Sequence, residues 1–148
     1  MKYDYFISGR TRNKNELKKI SAKIRAAGKT AHCFVENKYE GDGIKYDPSG
    51  SNEENEMQTL ENLKNWQTNP TFREIYKNDL DALKSSIEFI LVFPAGFSAH
   101  MELGVAYGLG KKCYGIGNPE KIETLYLMME EIYPTVDDFL KERIGVRA

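Results

Sequence analysis

Cysteine is nearly missing from this chain. Cys33 and Cys113 are far apart, with no CxxC pair and no Cys/His cluster. That spacing argues against a zinc site, and a domain of this size needs no disulfide. Both lie in apolar runs and read as buried thiols of a reduced, cytoplasmic protein. A surplus of charge is missing too: 21 Lys and Arg face 22 Asp and Glu, for a net charge of −1. This removes the electrostatic case for a nucleic-acid polymer or an anionic membrane as partner. An anionic ligand would need a local cluster. No apolar run has the length of a membrane span. The N-terminus "MKYDYFISGR" lacks the apolar stretch of a signal peptide. There is no internal repeat and no low-complexity tract.

What is present is ordinary for a globular protein: 148 residues, 41% apolar and 29% charged, enough for one domain with its own core. Residues 1–148 read as a single domain with a variable loop and helix insertion around 36–71. Lys2 to Ser8 is aromatic and β-branched and stops at Ser8-Gly9, as a strand does. Asn13 or Asn15 can cap a helix carrying Leu17, Ile20, Ile24 and Ala27, which Gly28 ends. Lys29 to Val35 reads as a second strand. Glu36 to Asn55 has the punctuation of a long loop. It is either a mobile loop at a ligand site or oligomer contact, or a solvated insertion. Met57, Leu60, Leu63 and Trp66 are spaced as one helix face. Pro70 opens another helix with Phe72, Ile75, Tyr76, Leu80 and Leu83 as its stripe. Ile87 to Pro94 is nearly all apolar, as a strand buried on both faces should be. A helix over Ser98 to Gly110, a strand in "KKCYGIG", a helix over Glu120 to Glu130, a short "EIY" strand and a helix from Val136 to Ile144 capped by Thr135 complete the chain.

Strands alternating with helices imply an α/β fold. The expected form is three-layered and doubly wound, flavodoxin- or Rossmann-like. It has about five parallel strands and helices on both faces. In such sheets the ligand lies at the carboxyl ends of the strands near the switch point. That rule selects Ser8 to Asn13, the loop after Val35, and Pro94 to Glu102.

Three segments there carry chemistry. In "GFSAHMELGVAYGLGKK" a lone carboxylate, Glu102, interrupts small and apolar residues. Ser98 sits at the expected N-cap, and Glu102 shares its helix face one turn on. The helix N-terminus favours the ionised carboxylate. Such a group suits a nucleophile or an ion-pair partner for an oxocarbenium-like centre, or it merely offsets the helix dipole. Gly104 and Gly108 each cost about 1 kcal/mol in a helix, which tight packing on the sheet, or a subunit contact, would offset. His100 points away from Glu102. In "SGRTRN", Gly9 lets a ligand approach the backbone, and Arg10 and Arg12 suit phosphate, although no dinucleotide or triphosphate fingerprint is present. In "YKNDLDALKSS", Asp79 or Asp81 can reach the crevice and bind hydroxyls.

Together these segments resemble the nucleoside 2-deoxyribosyltransferase family and its relatives, the deoxynucleoside 5′-monophosphate N-glycosidases. The aromatic strand ending in Ser8-Gly9, "YKNDLDALKSSIEFILVF" and "GFSAHMELGVAYGLGKK" carry the resemblance. The last is the most specific, and 36–71 matches poorly. The resemblance implies Glu102 as a nucleophile that attacks the anomeric carbon and forms a covalent glycosyl-enzyme, with Asp79 near the sugar. It places Tyr5 or Phe6 in the sugar pocket and Ser98, in the turn with Gly96, on a 5′-phosphate. It implies a nucleoside or nucleotide partner, no cofactor or metal, and a homo-oligomer. The family's transferases carry an Asp in the turn before the catalytic helix, and "PAGFSAH" has none, so water as the acceptor stays open. No acid for the leaving base stands out, though Glu36, Asp42 or Asp47 in the long loop, or a second subunit, could supply one. A nucleotide-binding module without turnover is one competing reading. Another is an enzyme cleaving the nicotinamide bond of NAD, since Toll/interleukin-receptor-like domains also use a Glu in a doubly wound fold.

Overall fold

The computed structural model describes residues 1–50 and 53–146. Its strands, in chain order, are β1 (Tyr3–Ser8), β2 (Ala31–Cys33), β3 (Tyr39–Gly41), β4 (Ile44–Tyr46), β5 (Ser86–Val92), β6 (Cys113–Ile116) and β7 (Met129–Tyr133). The helices are α1 (Lys14–Ala26), α2 (Glu53–Glu61), α3 (Pro70–Lys84), α4 (Phe97–Gly108) and α5 (Val136–Phe139), the last continuing as a π turn over Leu140–Ile144. Five strands pair in parallel in the order β2-β1-β5-β6-β7. The winding therefore reverses between β1 and β5, and the carboxyl edge at such a switch point is where open α/β sheets bind ligands. The three-layer α/β expectation is borne out.

Side-chain alternation assigns the layers. Tyr5 and Ile7 of β1 join Leu17, Ile20, Ile24 and Phe139 on the face covered by α1 and α5. Phe6 joins Leu83, Phe89, Leu91, Leu103 and Ala106 on the face covered by α3 and α4. Thr135 caps α5 as expected, accepting from the Asp138 amide at 3.2 Å. No helix among the described residues is long and apolar enough to cross a membrane.

Several expectations are corrected. Glu120 to Glu130 is not a helix. A 3₁₀ turn, Thr124–Met128, leads directly into β7, because pairing with the open edge of β6 takes the residues from Met129 on. α2 ends at Glu61, leaving Leu63 and Trp66 outside it. Tyr76 is exposed rather than part of the α3 stripe. Gly104 and Gly108 are not packed on the sheet: a methyl group added at either would meet nothing within 4 Å.

The stretch after β2 departs most from the expected loop. β3 and β4 form an antiparallel hairpin. Its turn residues Asp42 and Gly43 have φ of 54° and 83°, the left-handed pair that suits the twist of a two-residue hairpin. Asp42 Oδ2 accepts from the Thr71 hydroxyl at 2.7 Å and from the Thr71 amide at 3.2 Å, and the Asp42 carbonyl accepts from Asn69 Nδ2 at 2.7 Å. These bonds fasten the hairpin to the start of α3. On the opposite bank, Lys14 Nζ donates to the Gly50 carbonyl at 2.6 Å and Lys18 Nζ to that of Pro48 at 2.8 Å. Arg12 pairs with Glu54 at 2.6 Å and Glu61 at 3.1 Å on α2. The insertion thus spans from α3 to the start of α1 and roofs the crevice, with Ile44 and Tyr46 buried beneath it.

Candidate active site

Glu102 and Ser8 meet although 94 residues separate them: Ser8 Oγ donates to Glu102 Oε1 at 2.7 Å. Local structure explains the meeting. Ser8 ends β1 on the same face as Phe6, the face that α4 covers. α4 docks through Ala99, Leu103 and Ala106, and Glu102 falls beside that stripe because i and i+3 are neighbours on a helix. Ser8 is fully buried. The bond fixes one carboxylate oxygen, Oε1.

Asp79 enters from α3. Ile75, Asp79, Ala82 and Leu83 follow helical spacing, and Ala82 and Leu83 are buried. Asp79 therefore turns inward, whereas Asp81 pairs with Lys77 at 3.0 Å on the exposed face. Asp79 Oδ1 is buried with no hydrogen-bond partner among the described residues. Burial alone raises the Asp79 pKa to about 7. Burial also raises Glu102 to about 7, assisted by the Asp79 charge and opposed by the bond from Ser8. The expectation that the helix terminus keeps Glu102 ionised is thus corrected. Glu102 is the sixth residue of α4, and the dipole's influence fades beyond the first turn, where desolvation wins. Near neutral pH the two carboxyls compete for protons, and each titration depends on the other.

The N-cap of α4 is Gly96, not Ser98, and it has no side-chain cap. Ser98 is exposed on the first turn of a helix whose first internal bond is made by the His100 amide to the Gly96 carbonyl. A methyl group at Gly96 would lie 3.7 Å from Arg10 Cγ, so Arg10 stands over the open helix end. Gly9 does something other than admit a ligand: a Cβ there would sit 2.7 Å from Leu17 and 3.3 Å from the Val92 carbonyl. It allows α1 to close on the sheet edge. Arg12 is engaged by Glu54 and Glu61 and holds the roof. His100 is spent on structure, Nδ1 donating to the Gly96 carbonyl at 2.7 Å and Nε2 accepting from the Tyr126 hydroxyl at 2.9 Å.

Tyr5 and Phe6 belong to the core. Tyr5 packs edge-on to Phe139, and Phe6 is stacked between His32 and Phe89. Two aromatics of the hairpin, Tyr39 and Tyr46, feel the Asp79 charge. Tyr46 is the buried one; burial first, and the Asp79 charge after it, push its pKa up, against the nearby Thr11 hydroxyl, which lowers it. Among the described residues the Tyr46 hydroxyl and Asn13 Nδ2, at the start of α1, are buried without a hydrogen-bond partner. The sequence held one usable signal for Tyr46: Asp42-Gly43 followed by alternating Ile44-Lys45-Tyr46 is a hairpin pattern.

No protein-family model and no curated protein sequence matches the chain. Its fold is similar to that of a 2-deoxyribosyltransferase from the psychrotolerant bacterium Bacillus psychrosaccharolyticus, with a TM-score of 0.63, 17% identity, and coverage of 95% of this chain and 93% of that one. It is also similar to the TIR domain of a Toll-related receptor from Hydra magnipapillata, with a TM-score of 0.54, 14% identity and coverage of 94% and 89%. At these identities the likeness is one of fold.

Proposed function

We propose that the chain cleaves the N-glycosidic bond of a deoxynucleoside or its 5′-monophosphate. The carrying observation is the buried Glu102, held by Ser8 at the switch point beside Asp79. In its ionised form Glu102 Oε2 attacks the anomeric carbon. The C–N bond breaks, and its electron pair leaves with the base, which takes up a proton. A base or water then attacks the same carbon and releases the Glu102 carboxylate. Positive charge grows on the sugar ring in both steps, and a carboxylate fixed beside it stabilises that charge. The fold likeness to a 2-deoxyribosyltransferase supports the reading.

Arg10 and the uncapped first turn of α4, with Ser98, form the anion-binding end for a 5′-phosphate. The second copy of a homo-oligomer binds on the outer face of α4. Phe97 is 90% exposed and Met101 65%, and they run into Gly104 and Gly108, above which nothing lies. Leu127, 89% exposed, continues the patch from the segment that Tyr126 packs against His100. At on the order of 150 Å² for a large apolar side chain, these three supply about half of the roughly 800 Å² per partner of a stable interface.

The test is release of free base from a panel of deoxynucleosides and their 5′-monophosphates, with NAD included. Glu102→Ala should lose at least about three orders of magnitude in kcat. Equal activity, or equal silence, of wild type and variant across the panel refutes the assignment. Tight nucleotide binding without any product would instead identify a binding module.

A further inference from the structure

We propose that Tyr46 Oη and Asp79 Oδ1 together form a specificity subsite for one free hydroxyl of the substrate's sugar, with Tyr46 as the positioning donor. The proposal rests on the N-glycosidic reading and deepens it. Tyr46 is 6% exposed, and among the described residues neither its hydroxyl nor Asp79 Oδ1 finds a hydrogen-bond partner. Buried polar groups are rarely left this way without a ligand or water to satisfy them. The hairpin brings Tyr46 to the turn of α3 that carries Asp79: Tyr39, its partner in register with the rings 6.4 Å apart, accepts from Asn78 Nδ2 at 3.4 Å. α3 and α4 cover the same face of the sheet, and the Asp79 charge is felt at Glu102.

The chemistry of the two groups selects what fits between them. The phenol is shifted away from ionisation, so it offers a hydrogen and wants an acceptor. Asp79, when ionised, wants a donor. A hydroxyl meets both demands with one atom. An exocyclic amine of a base only donates, and a ring nitrogen either accepts or, carrying a hydrogen, donates, but does not do both. A phosphate accepts only, and its charge would face a carboxylate. The 5′-phosphate end, at Arg10 and α4, is accordingly a different place from this one.

Tyr46 is contributed by the roof, on β4, and Asp79 by α3. Asp42, in the same hairpin, is bonded to Thr71 at the start of α3. The hairpin that carries Tyr46 is thus fastened to the helix that carries Asp79. Substitution of Tyr46 by Phe removes only the hydroxyl and keeps the ring.

The experiment compares wild type and Tyr46→Phe on a parent deoxynucleoside and on analogues each lacking one sugar hydroxyl, reading kcat/KM for base release. Thermal melting checks that both proteins fold. The expected result is one analogue that loses about fivefold to tenfold with wild type, while Tyr46→Phe loses a similar factor on the parent and no longer distinguishes the two. A Tyr46→Phe protein within twofold of wild type on the parent overturns the proposal. So does an equal loss on every compound, which would mean that Tyr46 holds only a water or packs the roof. If no compound releases base, the N-glycosidic reading fails by itself, and the same comparison is read as binding by calorimetry. Hydroxyl-dependent loss of affinity in Tyr46→Phe then still supports the subsite, and no binding or no difference overturns it.

Discussion

Replacing Ser8 with Ala should move the pH dependence of the reaction in a stated direction. Glu102 must be ionised to attack, so kcat/KM of the wild type should rise with pH through about 7, the value to which burial brings this carboxyl. The hydroxyl of Ser8 donates to Glu102 Oε1 at 2.7 Å and favours the ionised form. A hydrogen bond to a charged group contributes about 1.5–3 kcal/mol net, and 1.36 kcal/mol corresponds to one pKa unit. A water entering the vacated space would return part of this, so the lower end applies. The midpoint of the rising limb should move up by about one unit in Ser8→Ala. At pH 6, below both midpoints, the variant should be about tenfold slower than wild type. At pH 10, where Glu102 is ionised in both, most of that difference should vanish. The assay is kcat/KM for base release from pH 5 to 10, with the midpoint read as a property of the Glu102–Asp79 pair. An unmoved midpoint, or one shifted to lower pH, would refute the assignment of Ser8 as the donor that tunes the nucleophile.

Asp79→Asn should do the reverse, because it removes the charge that opposes ionisation of Glu102, and the limb should shift to lower pH. The same variant should be more stable than wild type at pH 8, by on the order of a few kcal/mol. The sign follows from the raised folded pKa: between the ordinary carboxyl range and about 7 the native state holds the extra proton, so raising the pH costs wild type stability. The gain should disappear by pH 4 in urea unfolding. Arg10→Ala should lower kcat/KM about tenfold or more on a 5′-monophosphate and leave the nucleoside unchanged, since it removes a charge-assisted phosphate contact. Arg12→Ala should instead affect both substrates alike and speed proteolysis between 47 and 61, because Arg12 ties α2 to the site edge. Met101→Lys should lower the mass measured by analytical ultracentrifugation while leaving the melting temperature of the subunit within a few degrees.

The legible parts of the chain were those governed by short-range patterns. The apolar run from Ile87 revealed β5, and the helical spacing of Leu17, Ile20 and Ile24 revealed α1. Glu102 was conspicuous because a charge interrupted an apolar helix. Its partner was not legible as a partner, since the Ser8 bond spans 94 residues. Arg12 and Arg10 look alike in "SGRTRN", yet it is Arg12 that Glu54 and Glu61 of α2 capture in ion pairs. Strands of three residues on either side of Asp42-Gly43 are too short for alternation to outweigh the polar composition around them. The hairpin and Tyr46 were lost in that way. Glu120 to Glu130 has helix-forming composition, but the sheet edge offers better pairing than a lone helix turn could.

The roof departs after β2 and rejoins at α3, and neither of its strands pairs with the central sheet. Its grip depends on side-chain ties at its rim, from Asp42 on one bank and Arg12, Lys14 and Lys18 on the other. A new roof keeping those anchor points could be grafted onto the same floor without disturbing how the floor folds. The proposed sugar-reading group Tyr46 would then change while Asp79, Arg10 and Glu102 stayed put. On that reading, part of the choice of substrate could be exchanged without touching the group proposed to attack.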